Sequence, residues 1–432
     1  LYPQDKVALE DVSLVFAGYG ITAPELGWDD YAGLDVKDKI VVILVNDPDF
    51  ESGQGDFGGK AMTYYGRWTY KYEEAARRGA AGALIVHETA PAAYPWATVR
   101  NGRNGPQYDI VRADAADYHL PVRGWIQREV AQRLFDESGL DFEAEKARAQ
   151  QRGFAGYRLQ GASASLAFDV QRERIASRNV AGILPGASRP QQTVIVSGHW
   201  DSFGIIADPD GSGDAIVNGA VDNATSIASL IEIARVFSAG ERPARSLLFL
   251  AVTAEESGLL GARYYAAHPL RPLETTVADL NIEMWSPDGP TRDISSWGAG
   301  KVSLERDLVE VARVEGRHWS PDDNLEAGLF YRADHFAFAQ AGVPAITIGP
   351  GMDQVEGGVE GGKAARAAYF ANCYHQPCDE FDDSWDMRGP VQDTRTVYRL
   401  AQRLANGSDW PQWDEGSEFG AQREKSAAAR VR

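Results

Sequence analysis

The chain has 432 residues, 44% of them hydrophobic, and a formal net charge of −19. That length fits two or three domains of about 150 residues with sizeable cores, and the acidic balance argues against nucleic-acid partners, which require a basic face. No apolar run approaches the ~20 residues of a membrane span, and the opening at Leu1, without methionine or leader-like segment, reads as a chain whose natural N-terminus has been removed.

In chain order, VSLVFAGYG ends the first twenty residues as an apolar-rich segment, and KIVVILV (Lys39 to Val45) reads as a strand buried on both faces. A helix is expected around Tyr70 to Arg78, stopped at Gly79, followed by a strand at Ala81 to His87. After a Pro, Tyr and Trp-rich loop comes the strand-like LPVRGWI and a helix with Ile126, Val130 and Leu134 on one face. His87 and His119 stand alone beside strands and read as structural. The pattern changes near Ser163, which places a domain boundary near residue 160.

Val194 to Val196 and Leu247 to Val252 read as buried parallel strands, with a helix between them carrying Ile227, Leu230, Ile231, Ala234 and Phe237 inward. The loop holding Asp208, Asp210, Ser212 and Asp214 has calcium-loop spacing. Its twelfth position is Gly219 rather than Glu, so it reads as a solvated acidic loop. Further strands are expected at Val277 to Met284 and Ala345 to Gly349, a helix at Val302 to Glu315, a helix in FYRADHFAFAQ, a Gly-rich loop at GPGMDQVEGGVEGG, and a closing helix at Thr394 to Ala405. Residues 411–432 read as an irregular tail. Cys373 and Cys378 are either two thiols in a loop or a short-loop disulfide, and the second implies an oxidising compartment.

The chemistry gathers at element ends. His199, Asp222, Glu256, Glu283 and His375 each fall at an expected terminus on one side of a parallel sheet, where open α/β folds place ligands. Taken singly, Glu255 and Glu256 only start a helix, where acids favour the dipole. Taken as a set, imidazoles and carboxylates suit zinc, and a shared carboxylate lets five ligands hold two metals ~3.5–4 Å apart. Glu255, beside a proposed ligand, is placed to act as general base, and Asp201, two residues after His199, to hold its other ring nitrogen.

The motifs GHWDS, GAVDNATS, TAEESGLLGA, LNIEM, RADHFAFAQAGVPA and CYHQPCDEFD resemble those of the co-catalytic zinc aminopeptidases, which include bacterial secreted aminopeptidases and, with altered specificity, glutamate carboxypeptidases. The resemblance implies an α/β fold, a mostly parallel zinc-exopeptidase-like sheet with flanking helices over 161–410. It implies two zinc ions bridged by Asp222, with Glu256 and His375 completing one site and His199 and Glu283 the other. Glu255 falls on the catalytic base, Asp201 on the carboxylate that orients His199, and Tyr374 on a hydroxyl that helps stabilise the tetrahedral intermediate. Cys373 and Cys378 would pair, and Asp334 and His335 would support the site without binding metal. Glu283 stands where the family usually has Asp.

VFAGYGI, WDDYAGLDVKDKIVVILVNDPD and EEAARRGAAGALIVHE make residues 13–155 resemble an inserted α/β protease-associated domain, which with flanking residues takes up 1–160, although the family's peptidase domain usually begins before such an insert. The expected function is a secreted or periplasmic di-zinc aminopeptidase acting on peptides. The rivals are a carboxypeptidase or dipeptidase, with Arg332 as its cation, a single-zinc glutaminyl cyclase, and a non-catalytic binding module.

Overall fold

The computed structural model describes residues 5–102, 106–111, 119–206, 213–298, 300–322 and 324–430. It divides into two compact units, Leu1–Ile175 with Asn324–Tyr331, and Ala176–Asp323 with Arg332–Arg432. Asp208, Asp210 and Ser212 of the acidic loop lie outside the described residues. No helix among the described residues is long and apolar enough to cross a membrane.

The first unit is built on β1 (Lys6–Phe16), β2 (Ile40–Leu44), α1 (Trp68–Arg77), β3 (Gly82–His87), β4 (Val122–Gln127), α2 (Arg128–Glu137), α3 (Phe142–Ala149) and β5 (Tyr157–Asp169). The sheet order is β4-β3-β2-β1-β5, with β5 antiparallel to β1 and the rest parallel. All five residues of β2 are buried because helices cover both faces. Ile40, Val42 and Leu44 pack with Phe135 and Phe142, and Val41 and Ile43 with Tyr72, Ala75 and Ala76. Each buried Val, Leu, Ile or Phe among them contributes on the order of 1.5–3 kcal/mol.

Two expectations change here. The boundary expected near residue 160 falls inside β5, whose alternation completes the first sheet and carries that unit to Ile175. Ile126 belongs to β4, not to the following helix, which buries Ala131 and Phe135. The apolar period there crosses a strand-to-helix junction with no break in composition.

The second unit contains β6 (Val180–Leu184), β7 (Arg189–His199), α4 (Thr225–Ala239), β8 (Arg245–Val252), α5 (Leu260–Ala267), β9 (Thr276–Ile282), β10 (Asp293–Ser296), α6 (Leu304–Val314), β11 (His318–Pro321), α7 (His335–Gln340), β12 (Ala345–Pro350), α8 (Gly358–Asn372) and α9 (Arg388–Asn406). The sheet order is β11-β10-β12-β9-β7-β8-β6. The central strands β12, β9, β7 and β8 are parallel, so their carboxyl ends share one rim. In α4, Ser226, Ser229, Leu230, Ile233 and Phe237 face inward, whereas Ile231, expected inside, is 62% exposed.

The Gly-rich segment expected as a loop becomes helical from Gly358, where the small residues let α8 approach its neighbours: a Cβ on Gly362 would lie 2.1 Å from the Met352 carbonyl. The tail is not irregular throughout. Trp413, Phe419 and Arg423 are buried, and Arg423 donates to the Thr276 carbonyl at 3.0 Å.

Candidate metal centre

His199 is the last residue of β7 and pairs in register with Val252, the last residue of β8. Glu283 follows the last residue of β9. Asp222 comes from the turn before α4, which begins at Gly219 with φ +66°; a Cβ there would sit 2.4 Å from the Asp222 carbonyl, so only glycine fits. Glu255 and Glu256 follow β8, and His375 lies in the loop after α8, closed by the Cys373–Cys378 disulfide. Ala254, Met284 and His375 hold left-handed φ, backbone strain of the kind that collects at functional sites.

Asp222 faces two triads with its two oxygens. Oδ1 lies 3.1 Å from His199 Nε2, which is itself 3.0 Å from Glu283 Oε1. Oδ2 lies 3.2 Å from His375 Nε2, which is 3.3 Å from Glu256 Oε2. Within each triad the ligand atoms lie within 4.8 Å of one another.

Burial opposes charge on Asp222, but both imidazoles override it and draw its pKa down to about 2. Burial also opposes charge on His199, yet Glu283 and Asp222 push its pKa well above normal. Burial, and then the crowding of like charges, holds Glu255 and Glu256 well above the carboxylate range, against the pull of His199. Glu256 Oε1 and both oxygens of Asp334 are buried without a hydrogen-bond partner. Among the described residues, none of these carboxylates is ion-paired to a lysine or arginine. An assembly so rich in acid, with orphaned oxygens, is what a multivalent cation neutralises, and mixed imidazole and carboxylate donors fit zinc.

Asp201 behaves differently from its expected part. The His199 Nδ1 hydrogen bond, at 3.0 Å, goes to the Asp201 backbone carbonyl, while the carboxylate stands 3.7 Å away. That carboxylate accepts the Glu255 and Glu256 backbone N–H groups at 3.0 and 3.3 Å and so fixes the acidic pair. Tyr374 stacks on His375 with centroids 3.6 Å apart, and Phe203 packs against the same imidazole at 4.5 Å. Burial, reinforced by Asp222, raises the Tyr374 hydroxyl well above its ordinary pKa, so it remains a donor. Asp334 and His335 are wholly buried, and burial keeps His335 neutral, with its pKa lowered to about 3.

Sequence reasoning assigned nothing to several residues that hold this geometry. Asp379 accepts the backbone N–H groups of Val221 and Asp222 at 2.8 and 3.1 Å, and takes the Tyr369 hydroxyl on the same carboxylate at 3.1 Å. Asn223 accepts the Met284 N–H at 3.1 Å and donates to the Ile282 carbonyl at 3.2 Å. Both lie inside the quoted motifs, which was their only signal. A cavity of about 450 Å³ opens beside Glu283, lined by Met284, Trp297, Met352, Phe370 and Trp385.

Residues 179–397 match the model of Peptidase family M28. The chain belongs to this family. Among curated relatives, an aminopeptidase of Mus musculus is 34% identical over 130 residues, 29% of this chain and 16% of the relative. A probable zinc metalloprotease of Leptosphaeria maculans is 30% identical over 199 residues, 39% of this chain and 45% of the relative. The chain thus spans less than half the length of these relatives. Among solved structures, the aminopeptidase from Aneurinibacillus sp. strain AM-1 superposes with TM-score 0.43 at 20% identity, covering 93% of this chain and 78% of that one. A zinc aminopeptidase from Bacillus subtilis gives TM-score 0.40 at 16% identity, covering 98% and 80%.

Proposed function

We propose that this M28 chain is a di-zinc exopeptidase that removes the N-terminal residue from peptides. The observation that carries the reading is the Asp222 carboxylate, each oxygen turned to a separate triad of His199 with Glu283 and His375 with Glu256. Zinc at such sites supplies Lewis acidity toward the scissile carbonyl and lowers the pKa of water.

Glu255, fixed by the Asp201 carboxylate through its backbone N–H, takes the proton from attacking water and returns it to the leaving amine. The Tyr374 hydroxyl donates to the oxyanion of the tetrahedral intermediate. The free α-ammonium of a peptide is drawn to the acidic surroundings of the cluster, and the side chain of the N-terminal residue enters the apolar cavity beside Glu283. A carboxypeptidase is the second reading, because the positive charge of Arg332 reaches the Tyr374 hydroxyl.

The same reading takes the first unit as a protease-associated domain, and the Cys373–Cys378 disulfide favours a secreted or periplasmic site of action. The test is hydrolysis of amino-acid anilides against N-blocked peptides with free C-termini, by zinc-loaded protein and its Glu255→Ala variant. Cleavage of the anilides by the parent alone is expected. Cleavage of only the blocked peptides would move the assignment to a carboxypeptidase.

A further inference from the structure

The Glu283 carboxylate has two oxygens and a flexible arm, so something must decide which oxygen it presents to an ion. One oxygen, Oε1, faces His199 Nε2 at 3.0 Å and takes only a long contact from Asn223 Nδ2 at 3.4 Å, while Oε2 accepts a hydrogen bond from Asn281 Nδ2 at 3.1 Å. Asn281 lies two residues earlier on β9, on the same face of the strand.

The Asn281 amide is itself held in one orientation. Its Nδ2 also donates to Thr347 Oγ1 at 3.1 Å, and its Oδ1 accepts from Ser197 Oγ at 3.2 Å. Turned over, it would set a carbonyl oxygen against the Glu283 carboxylate. Ser197 Oγ also lies 2.8 Å from Asp279 Oδ1. The one Ser197 hydroxyl proton thus faces both Asp279 Oδ1 and Asn281 Oδ1. Thr347 Oγ1, accepting from Asn281, is also hydrogen-bonded with His335 Nδ1 at 2.6 Å. Asn281, Ser197, Thr347 and Asp279 are all completely buried.

We infer that Asn281 is a positioning residue that occupies Glu283 Oε2 and thereby commits Oε1 alone to the ion shared by His199 and Asp222. The inference rests on the reading of Glu283 as a ligand. Hydrogen bonds to ligating carboxylates commonly change metal affinity by about 10–100-fold.

The experiment titrates zinc into the metal-free protein against a chromophoric chelator, with metal content per chain and the melting temperature of the metal-free form measured in parallel. For Asn281→Leu, the affinity for one of the two ions should fall about 10–100-fold while the other ion binds as in the parent. Ser197→Ala should weaken the same ion by a smaller factor. In a Glu283→Ala background, adding Asn281→Leu should change nothing further, because the effect acts through Glu283.

Unchanged binding of both ions by Asn281→Leu, or equal weakening of both, would overturn the inference. If that variant does not fold, unchanged binding by both Ser197→Ala and Thr347→Val overturns it instead. A parent that binds fewer than two ions overturns the ligand reading together with the inference, whereas a two-ion parent with indifferent variants overturns the inference alone.

Discussion

In the first unit Lys71 is completely buried, with its ammonium donating to the Tyr19 and Asn46 carbonyls at 2.6 and 3.0 Å. Burial lowers Lys71 to about 8 and raises Asp30 and Asp47 to about 7 and about 6, each against the pull of the opposite charge. The acids there are satisfied from within: Asp30 accepts from the Ile21 N–H and the Trp28 indole, and Asp47 from the Thr63 N–H and hydroxyl. In the second unit the buried acids around Asp222 have imidazoles for company, no lysine or arginine partner among the described residues, and orphaned oxygens on Glu256 and Asp334. In the first unit the buried acids are hydrogen-bonded by their own surroundings near a buried lysine; on the rim of the second sheet they gather around two imidazoles, the donor set that suits a metal.

The largest effect that sharpens this contrast is expected at Glu255. Glu255→Gln should lower kcat by about 10²–10⁴-fold with zinc content unchanged; retained activity in a steady-state assay would put the base elsewhere. On the closed side, Lys71→Met leaves the buried Tyr19 and Asn46 carbonyls without their donor and should cost about 1–3 kcal/mol in urea unfolding, while zinc stoichiometry stays as in the parent. A change in zinc binding in that variant would break the comparison.

Asp201→Ala, which frees the Glu255 and Glu256 backbone, should reduce activity or metal affinity by about 10–100-fold, measured by kinetics and chelator competition. A separate, pH-dependent effect concerns Asp279. Its folded pKa of about 8 exceeds the ordinary 3.8, so its stabilisation is complete below pH ~4 and drains away as pH rises toward 8. Urea midpoints compared at pH 5 and pH 8 should therefore fall less in Asp279→Asn than in the parent, which loses up to about 1.4 kcal/mol per pH unit through this group.

Much of the fold was legible because the parallel strands are buried on both faces and so read as continuous apolar runs, as in β2 and β8. What failed was helix phase and extent. Ile231 looked internal by spacing, but α4 turns serines toward the sheet, where Ser229 accepts the Trp285 indole N–H at 2.9 Å. Glycines hid α8, whose small residues serve close approach rather than a turn. At the candidate centre, the His and acid positions stood out by their placement at strand ends. Asn281, Asp379 and Asn223 did not, because a hydrogen bond made across the chain leaves no period in it.

The most direct measurement is a crystal structure of zinc-loaded protein with anomalous data at the zinc edge. The account predicts two peaks ~3.5–4 Å apart, one on each side of the Asp222 carboxylate, the first beside His199 and Glu283 and the second beside Glu256 and His375. A single peak, or none at Asp222, would contradict it.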